Sequence, residues 1–389
     1  MNTNKENNNQ LTSKLPNVGI SIFSEMSGLA NEYKAINLSQ GFPEFDTPEF
    51  IKQKINQYIS RGLNQYAPSP GLPQLQNAIA DLINEKYHSH INGSTQVTVT
   101  SGATEALFVA IQTLVHPGDE VIIFDPAYDS YKPAIELADG KVVHIQLKAP
   151  QYTINWSEVS DSITSKTKAI IINTPHNPTG TILKTSDITE LSTLINQHDL
   201  YLISDEVYEH IVFDEQTHLS ALRFNKLQER AFVISSFGKT FHCTGWKLGY
   251  CIAPPHLTEE FRKVHQYVTF SSFTPAQAAI ADMLTENSNH VFELAEFYQK
   301  KRNILINALQ KSRFKLLSSQ GTYFLLLDYS AISDLKDIDF CQWLTKEHGV
   351  AAIPLSVFNN SGHCDKIIRL CFAKKDDTLI QAAERLCQL

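Results

Sequence analysis

The hydrophobic residues of this chain fall into short continuous runs that alternate with stretches of helical spacing. The runs are rich in β-branched residues and do not alternate with polar ones, which is typical of strands buried on both faces of a mainly parallel sheet. Between two of the runs, Ala106, Leu107, Ala110 and Leu114 recur at the spacing of an amphipathic helix. Strands that alternate with helices predict an α/β fold. The runs that predict strands are Gln96–Thr100, Glu120–Phe124, Lys168–Asn173, Leu200–Ser204, Ala231–Ser235 and Lys247–Ala253.

The pattern changes near Asn289, where longer amphipathic stretches replace the strand–helix alternation. Glu293–Leu309 and Asp339–His348 predict helices, and Thr322–Asp328 between them predicts a strand. This mixture predicts a smaller α+β domain, which the start of the chain joins because chain ends often lie close together. We therefore predict a disordered tail over 1–14, a large domain over 46–288, and a small domain made of 15–45 and 289–389.

Composition and charge narrow the classes of partner. The chain has 389 residues, of which 42% are hydrophobic and 19% are charged, and its formal net charge is −8. It contains no Lys/Arg-rich run of the kind that binds a phosphate backbone, so we expect no nucleic-acid partner. Residues 1–14 contain no apolar signal region, and no apolar run reaches the roughly 20 residues that span a membrane. We therefore expect a soluble, cytoplasmic protein without a membrane partner.

The cysteines argue against both a metal site and a disulfide framework. None of the six forms a C-x-x-C pair or lies at zinc-ligand spacing from a histidine. We expect six reduced thiols, as in cytosolic proteins, and no metal. They are Cys243, Cys251, Cys341, Cys364, Cys371 and Cys387.

Polar and small residues follow the predicted strands at the edge where an open α/β sheet binds its ligands. Taken singly, each has an ordinary explanation as a turn, a helix cap or a solvated lysine. Together they offer phosphate donors at a helix start, an aromatic ring, an amide, a carboxylate, a phenol and an amine. This is the set that pyridoxal phosphate (PLP) requires, with a lysine as covalent anchor and an acid at the pyridine nitrogen. The residues are Ser101, Gly102, Ala103, Thr104, Tyr128, Asn177, Asp205, Tyr208 and Lys239.

A nucleotide-binding alternative comes from Gly238-Lys239-Thr240, which resembles the end of a P-loop. A P-loop needs a glycine five residues before its second glycine, and that position holds Val233. The chain also lacks a G-x-G-x-x-G motif. The sequence therefore does not favour a nucleotide site.

In combination, these residues resemble the class I aminotransferases of PLP fold type I. The resemblance extends from about Leu15 to the end of the chain. It implies an α/β large domain with a mainly parallel seven-stranded sheet flanked by helices, a smaller α+β domain, and a homodimer with active sites shared across its interface. The motifs that carry it are Asn37–Pro43, Asn64–Tyr66, Ser101–Ala106, His176–Gly180, Ser204–Tyr208, Ser235–Thr240, Gly245–Gly249 and Arg369–Lys374.

The resemblance also implies roles for single residues. Lys239 matches the lysine that holds the cofactor and carries a proton between substrate and cofactor, which makes it catalytic together with Asp205 and Tyr208. Asp205 matches the partner of the pyridine nitrogen, where a nearby carboxylate keeps the proton in place. Asn177 and Tyr208 match the pair that hydrogen-bonds the ring oxygen, and Tyr128 matches the aromatic that stacks on the ring.

The substrate and the cofactor phosphate have further contacts in this family. Arg369 matches the arginine that clamps the substrate α-carboxylate as a bidentate pair, assisted by Asn177 and the Gly41 backbone. Lys247 stands where some relatives have arginine, and it still offers the phosphate a point charge. Tyr66 matches a phosphate ligand that the partner subunit supplies. The other implied cofactor contacts are Gly102, Ala103, Thr104 and Ser236.

Two segments resemble one branch of the family more closely. Gln40–Pro43 and Ala351–Phe358 resemble the kynurenine/glutamine aminotransferase branch, and the fullest similarity is to bacterial methionine aminotransferases. This implies transamination of an apolar amino acid (methionine, an aromatic amino acid or histidine) with a 2-oxo acid, in a ping-pong cycle through pyridoxamine phosphate. The apolar segment Val18–Phe23 can either line a side-chain pocket or pack in the core. No second arginine for a distal carboxylate is evident.

Two other activities compete with this interpretation. A PLP-dependent carbon–sulfur β-lyase, of cysteine-S-conjugate or cystathionine type, has the same scaffold and nearly the same ligands, because both reactions remove the α-proton first. The sequence does not separate it from an aminotransferase. A transcription regulator with an aminotransferase-like sensor needs a DNA-binding domain ahead of this fold. About fifteen residues precede the first family-like segment, so we expect an enzyme.

Overall fold

The computed structural model describes residues 12–389, and residues 1–11 of the predicted tail lie outside the described residues. The strands are β1 (Ile36–Asn37), β2 (Val97–Thr100), β3 (Glu120–Asp125), β4 (Lys141–Gln146), β5 (Thr167–Asn173), β6 (Tyr201–Asp205), β7 (Ala231–Ser236), β8 (Gly249–Ile252), β9 (Lys315–Leu316), β10 (Phe324–Asp328), β11 (Val350–Ala351), β12 (Ile353–Pro354) and β13 (Ile367–Cys371). The helices are α1 (Ile22–Glu32), α2 (Glu49–Ser60), α3 (Pro73–Tyr87), α4 (Gly93–Gln96), α5 (Gly102–Leu114), α6 (Tyr131–Leu137), α7 (Trp156–Asp161), α8 (Thr185–Gln197), α9 (Asn225–Gln228), α10 (Phe237–Thr240), α11 (Pro255–Val268), α12 (Thr274–Glu286), α13 (Asn289–Leu309), α14 (Asp337–His348) and α15 (Asp376–Leu386). Within residues 12–389, no helix has both the length and the apolar character that a membrane crossing requires.

A seven-stranded sheet forms the centre of the larger part of the molecule. Its strand order is β2-β8-β7-β6-β5-β3-β4. Neighbouring strands are parallel except that β8 runs antiparallel to both β2 and β7. The predicted α/β fold with a mainly parallel seven-stranded sheet is therefore confirmed. The carboxyl ends of β2, β3, β5, β6 and β7 meet at one edge, which is where open α/β sheets bind ligands.

The unalternating runs are explained by burial on both faces of this sheet. In β5, Ile170 and Ile172 belong to the larger hydrophobic cluster, whereas Ala169 and Ile171 belong to a second cluster. The second cluster contains Leu107 and its neighbours on α5, which covers that face of the sheet. Because successive side chains of a strand point to opposite faces, a strand with helices on both sides needs an apolar residue at every position.

The hydrophobic runs missed one strand of the sheet, β4. It forms the sheet edge, and β3 is its only partner strand within residues 12–389. Its sequence KVVHIQ has an exposed Lys141 and a half-buried His144, because an edge strand with partial cover does not need a continuous apolar run. The prediction of seven strands came from the family resemblance, and the residue pattern alone predicted six.

A second, smaller sheet lies in the C-terminal part of the chain. It is antiparallel, has the order β12-β13-β10-β9, and is accompanied by α13, α14 and α15. β1 pairs in parallel with β11, which joins the start of the described chain to this region. The arrangement is compatible with a small domain made of 15–45 and 289–389, but these boundaries stay a prediction.

Candidate active site

A cavity of about 150 Å³ lies at the carboxyl edge of the large sheet. It collects most of the predicted site residues, which come from five different strand ends or the helices that follow them. The predicted residues that line it are Gly102, Ala103, Thr104, Tyr128, Asn177, Asp205, Tyr208, Ser236, Lys239 and Lys247. Residues that the sequence reasoning did not single out as site residues also line it, namely Leu107, Asn173, Val207, Gly238, Thr244 and Leu248.

The start of α5 and Lys247 form a cradle for an anion. Ser101, at the N-cap, makes no side-chain capping bond, so the first N–H groups of this 13-residue helix are left for another acceptor. Gly102 has φ +77°, a backbone conformation that glycine adopts without strain and other residues rarely adopt. Helix N-termini favour negative charge, and Lys247 adds a full positive charge. These residues fit the phosphate of PLP.

Asp205 ends β6 and is 3% exposed. Tyr131 donates a hydrogen bond of 2.6 Å to its Oδ2, and the Val207 N–H donates one of 3.3 Å to its Oδ1. Burial raises the pKa of Asp205 to about 6, although both hydrogen bonds act in the opposite direction. A cationic group placed in the cavity would stabilise the ionised carboxylate, as a protonated pyridine nitrogen does.

Lys239 projects from the short helix α10 into the same cavity. Its Nζ lies 3.0 Å from the Tyr323 hydroxyl and 3.3 Å from the Gly41 carbonyl oxygen. Burial lowers the pKa of Lys239 to about 8, and the positive charges of Arg369 and Lys247 act in the same direction. A desolvated amine of this kind loses its proton readily and can act as nucleophile and base.

Arg369 lies in β13 beside the cavity and is 1% exposed. Its Nη1 donates to Asn177 Oδ1 at 2.7 Å, and its Nη2 donates to the Ser39 carbonyl oxygen at 3.2 Å. Its Nε is buried and has no hydrogen-bond partner within residues 12–389. A buried guanidinium whose hydrogen-bond acceptors are neutral lacks a counter-charge. A carboxylate can supply that charge and accept two parallel hydrogen bonds from the guanidinium.

Three residues that contact the predicted site residues were not predicted. Tyr131 donates a hydrogen bond to the Asp205 carboxylate, and Tyr323 accepts one from Lys239 Nζ. The side-chain amide of Asn173 donates a hydrogen bond of 2.9 Å to the Asp205 carbonyl oxygen. Asn173 ends a predicted strand and could have been found by that position. Tyr66 is 83% exposed and packs edge-on against Phe270, outside the cavity.

Comparison with known proteins gives a consistent result. The family model for aminotransferase class I and II matches residues 33–386. Methionine aminotransferase of Escherichia coli K12 is 53% identical over 377 residues, covering 97% of this chain and 98% of that protein. A solved E. coli structure described as having a methionine aminotransferase function superimposes with a TM-score of 0.96 at 52% identity, over 98% of this chain and 100% of that one.

Two more distant relatives have other amino donors in their names. The structure of N-succinyldiaminopimelate aminotransferase from Mycobacterium tuberculosis has a TM-score of 0.93 at 36% identity, over 97% of this chain and 100% of that chain. Human kynurenine–oxoglutarate transaminase 1 is 34% identical, with 96% of each chain covered. All of these comparisons span nearly the full described length, and the residues at the cavity fit the cofactor that this family uses. The chain belongs to the class I and II aminotransferases and is a PLP-dependent enzyme.

Proposed function

We propose that the enzyme transfers the amino group of an amino acid with an apolar side chain, methionine first among them, to a 2-oxo acid. The observation that carries this proposal is the set of rings around Arg369. Its guanidinium lies 3.9 Å from the ring centroid of Phe324, 5.3 Å from that of Phe358 and 5.4 Å from that of Phe23. An α-carboxylate bound there would have its side chain close to apolar surfaces.

The position of α1 supports an apolar pocket. Phe23 in α1 packs against Phe358, with ring centroids 5.9 Å apart, beside the predicted carboxylate anchor. Of the predicted segment Val18–Phe23, Ile22 and Phe23 pack against the hydrophobic core, whereas Val18 is 55% exposed and Ile20 is 86% exposed. The name of the E. coli relative, methionine aminotransferase, supports the same substrate class.

We propose that the cofactor is held as the family resemblance implies. Its phosphate would be bound by the start of α5, Ser236 and Lys247, with Tyr66 of a second subunit adding a contact. When bound, PLP supplies an electron sink next to the substrate α-carbon. Asp205 would keep its pyridine nitrogen protonated, Asn177 and Tyr208 would hydrogen-bond the ring oxygen, and Tyr128 would stack on the ring.

The protein's own groups then have defined tasks. Arg369 binds and orients the α-carboxylate, together with Asn177 and the Gly41 backbone. Lys239 Nζ anchors the cofactor before the substrate binds, and afterwards accepts the proton of the substrate α-carbon and releases it again. A pKa of about 8 suits this exchange, because an amine with that pKa is readily available in both protonation states near neutral pH.

A product assay tests the proposed activity. The purified enzyme with PLP is incubated with methionine and a 2-oxo acid, and the keto acid of methionine, the new amino acid, ammonia and thiol are quantified. We expect one keto acid for each new amino acid, without ammonia or thiol. Release of ammonia and thiol in place of the new amino acid would instead support the carbon–sulfur β-lyase.

We expect Phe23→Ala to lower kcat/KM for methionine about 10- to 100-fold. Loss of a buried aromatic contact removes roughly 1.5–3 kcal/mol, and each 1.4 kcal/mol is a factor of ten. The kcat/KM for alanine as the amino donor should change by less than about threefold, because the side chain of this substrate is too short to reach the ring of Phe23. Phe292→Ala is the matched control, since Phe292 is 47% exposed on α13. Equal kcat/KM for aspartate and methionine in the unmodified enzyme would contradict the apolar pocket.

We expect Arg369→Lys to lower kcat/KM about 10- to 100-fold for every amino donor. Lysine keeps the charge but loses the planar fork, which removes about one charge-assisted hydrogen bond of 1.5–3 kcal/mol. The effect should appear mainly in KM, measured by steady-state kinetics. Arg302→Lys is the control, because Arg302 is also buried but is paired with Asp214. A loss of kcat/KM with only one amino donor would argue against a role of Arg369 in binding the α-carboxylate that all amino donors share.

We also propose a homodimer with shared active sites. Tyr66, which is 83% exposed, packs against Phe270, which is 42% exposed, and Phe273 three residues further along the chain is 52% exposed. Exposed apolar patches mark interaction surfaces, and a second subunit would both cover this one and receive Tyr66 at its phosphate site. Sedimentation analysis tests the subunit number. The cytoplasmic location stays a prediction.

A further inference from the structure

The hydroxyl of Tyr323 lies between two groups of the candidate site. It donates a hydrogen bond of 2.6 Å to the Gly41 carbonyl oxygen, and its oxygen accepts one of 3.0 Å from Lys239 Nζ. The Gly41 carbonyl oxygen is also 3.3 Å from Lys239 Nζ. The lysine amine therefore has two hydrogen-bond acceptors on the same side, and both belong to residues far from it in sequence.

The position of Tyr323 is fixed by its surroundings. The side chain is fully buried. Its ring packs edge-on against Tyr208 at 5.1 Å and Phe324 at 4.9 Å, and lies 5.6 Å from the ring of Tyr298. Burial raises the pKa of Tyr323 well above its ordinary value, so the group stays a neutral phenol. As a phenol it directs its O–H group at the Gly41 carbonyl oxygen and offers only the lone pairs of its oxygen to Lys239.

The hydrogen bonds to Tyr323 and Gly41 orient the amine of Lys239, because an amine has a fixed number of donors. A neutral primary amine has two N–H donors and one lone pair in a tetrahedral arrangement. The two acceptor oxygens lie in nearly the same direction from Nζ, so N–H groups of Lys239 that are directed at them leave the lone pair pointing away from them. Lys239 lines the cavity and Tyr323 and Gly41 do not, so that direction faces the cavity. After protonation, the third N–H occupies that same direction. The two acceptors thus determine where a proton is taken up and where it is delivered.

We propose that Tyr323 is a positioning residue, which holds the free amine of Lys239 with its lone pair directed at the substrate α-carbon. This inference rests on the proposed function of Lys239 as proton carrier. In the step concerned, the α-carbon–hydrogen bond breaks and a nitrogen–hydrogen bond forms at Nζ. The electron pair of the broken bond stays with the substrate and the cofactor joined to it. Tyr323 exchanges no proton.

Tyr323→Phe removes the acceptor while keeping the ring. We expect kcat for methionine to fall about 10- to 100-fold, because Nζ becomes charged as it takes up the proton and would then lack a hydrogen bond to a charged group. KM should stay within about threefold, because neither Arg369 nor the cavity wall changes. The deuterium isotope effect with α-deuterated methionine should increase, because proton transfer becomes more strongly rate-limiting. Unchanged kcat and an unchanged isotope effect would overturn the proposal.

Tyr298→Phe is a matched control in the same cluster of rings. Tyr298 is fully buried, and its hydroxyl has no hydrogen-bond partner within residues 12–389. Removing that hydroxyl should leave kcat and the isotope effect as in the unmodified enzyme. If Tyr298→Phe lowered kcat as much as Tyr323→Phe, the effect would be a general result of disturbed packing and the proposal would be overturned.

A second readout does not depend on activity. In the enzyme freed of PLP, the pH dependence of Lys239 acetylation by acetic anhydride reports the pKa of its amine, with peptide mass spectrometry to locate the label. An ammonium gains more than a neutral amine from a phenol acceptor, so Tyr323→Phe should lower the midpoint by about 0.5 to 1 on the pH scale. An identical midpoint would show that the contact is not made. If this midpoint is lowered but the unmodified enzyme fails to transaminate methionine, the contact stands and the proposed function fails.

Discussion

Lys239→Ala is expected to lower the rate of methionine transamination by at least about 10⁴-fold, the upper end of what one positioned proton-transfer group contributes. Lys239 would both anchor the cofactor and move the α-proton, so its loss affects two steps. The structure gives it an amine with a pKa of about 8, close to neutral pH, and two fixed hydrogen-bond acceptors. Single-turnover kinetics with enzyme that has been reloaded with PLP measures the effect directly.

Lys86→Ala provides the control for this variant. Lys86 is another lysine whose pKa burial lowers to about 8, but it hydrogen-bonds His210 and the Glu209 carbonyl oxygen, away from the cavity. We expect its loss to leave the turnover of the folded enzyme within about threefold, as for residues that touch no reacting group. A small primary amine added to the solution should partly restore turnover of Lys239→Ala. If Lys239→Ala retained the rate of the unmodified enzyme, the assignment of the active site would be wrong.

The strands that carry the site could be predicted from the sequence because burial on both faces leaves a distinct pattern. Ile170, Ile171 and Ile172 are all buried, and such a run has few alternatives to a central strand. The edge strand β4 has no such pattern, because partial exposure allows lysine, histidine and glutamine within it. Hydrophobic periodicity therefore detects the strands that are covered on both faces, including the buried edge strand β2, and misses the partly exposed edge strand β4.

The same division applies to the site. Asp205 and Lys239 could be inferred because each closely follows a predicted strand at the edge where ligands bind. Arg369 lies in the middle of the strand sequence IIRLC, and only the family resemblance gave it a role. Tyr131 and Tyr323 reach Asp205 and Lys239 across 74 and 84 positions of the chain, so their contacts depend on packing that no local pattern encodes.

Asp205→Asn is expected to lower kcat/KM for methionine about 10²- to 10⁴-fold. Asparagine has nearly the same shape but no negative charge, so the pyridine nitrogen of the cofactor would lose its counter-charge. Breaking a buried pair of opposite charges costs about 3–5 kcal/mol, and each 1.4 kcal/mol is a factor of ten. Steady-state kinetics with saturating PLP measures the loss. A change below about threefold would show that the charge of Asp205 does not assist the reaction.

The same substitution should stabilise the enzyme when PLP has been removed. The pKa of Asp205 rises from 3.8 to about 6 on folding, because burial disfavours the charge. A raised carboxyl pKa contributes stability that is fully present below pH 3.8 and is lost as the pH rises through about 6. Above that pH the buried charge costs roughly 3 kcal/mol, because a tenfold change in an acid dissociation constant corresponds to about 1.4 kcal/mol, and asparagine avoids this cost.

Urea unfolding of the apoenzyme at pH 8 measures this stabilisation. We expect the free energy of unfolding of Asp205→Asn to lie about 1–3 kcal/mol above that of the unmodified apoenzyme, because the Val207 N–H loses its acceptor and reduces the gain. The difference should largely disappear near pH 4, where the carboxyl group of Asp205 is protonated in the folded protein. A less stable Asp205→Asn apoenzyme at pH 8 would mean that the protein stabilises this charge without its cofactor, contrary to the burial of the carboxylate.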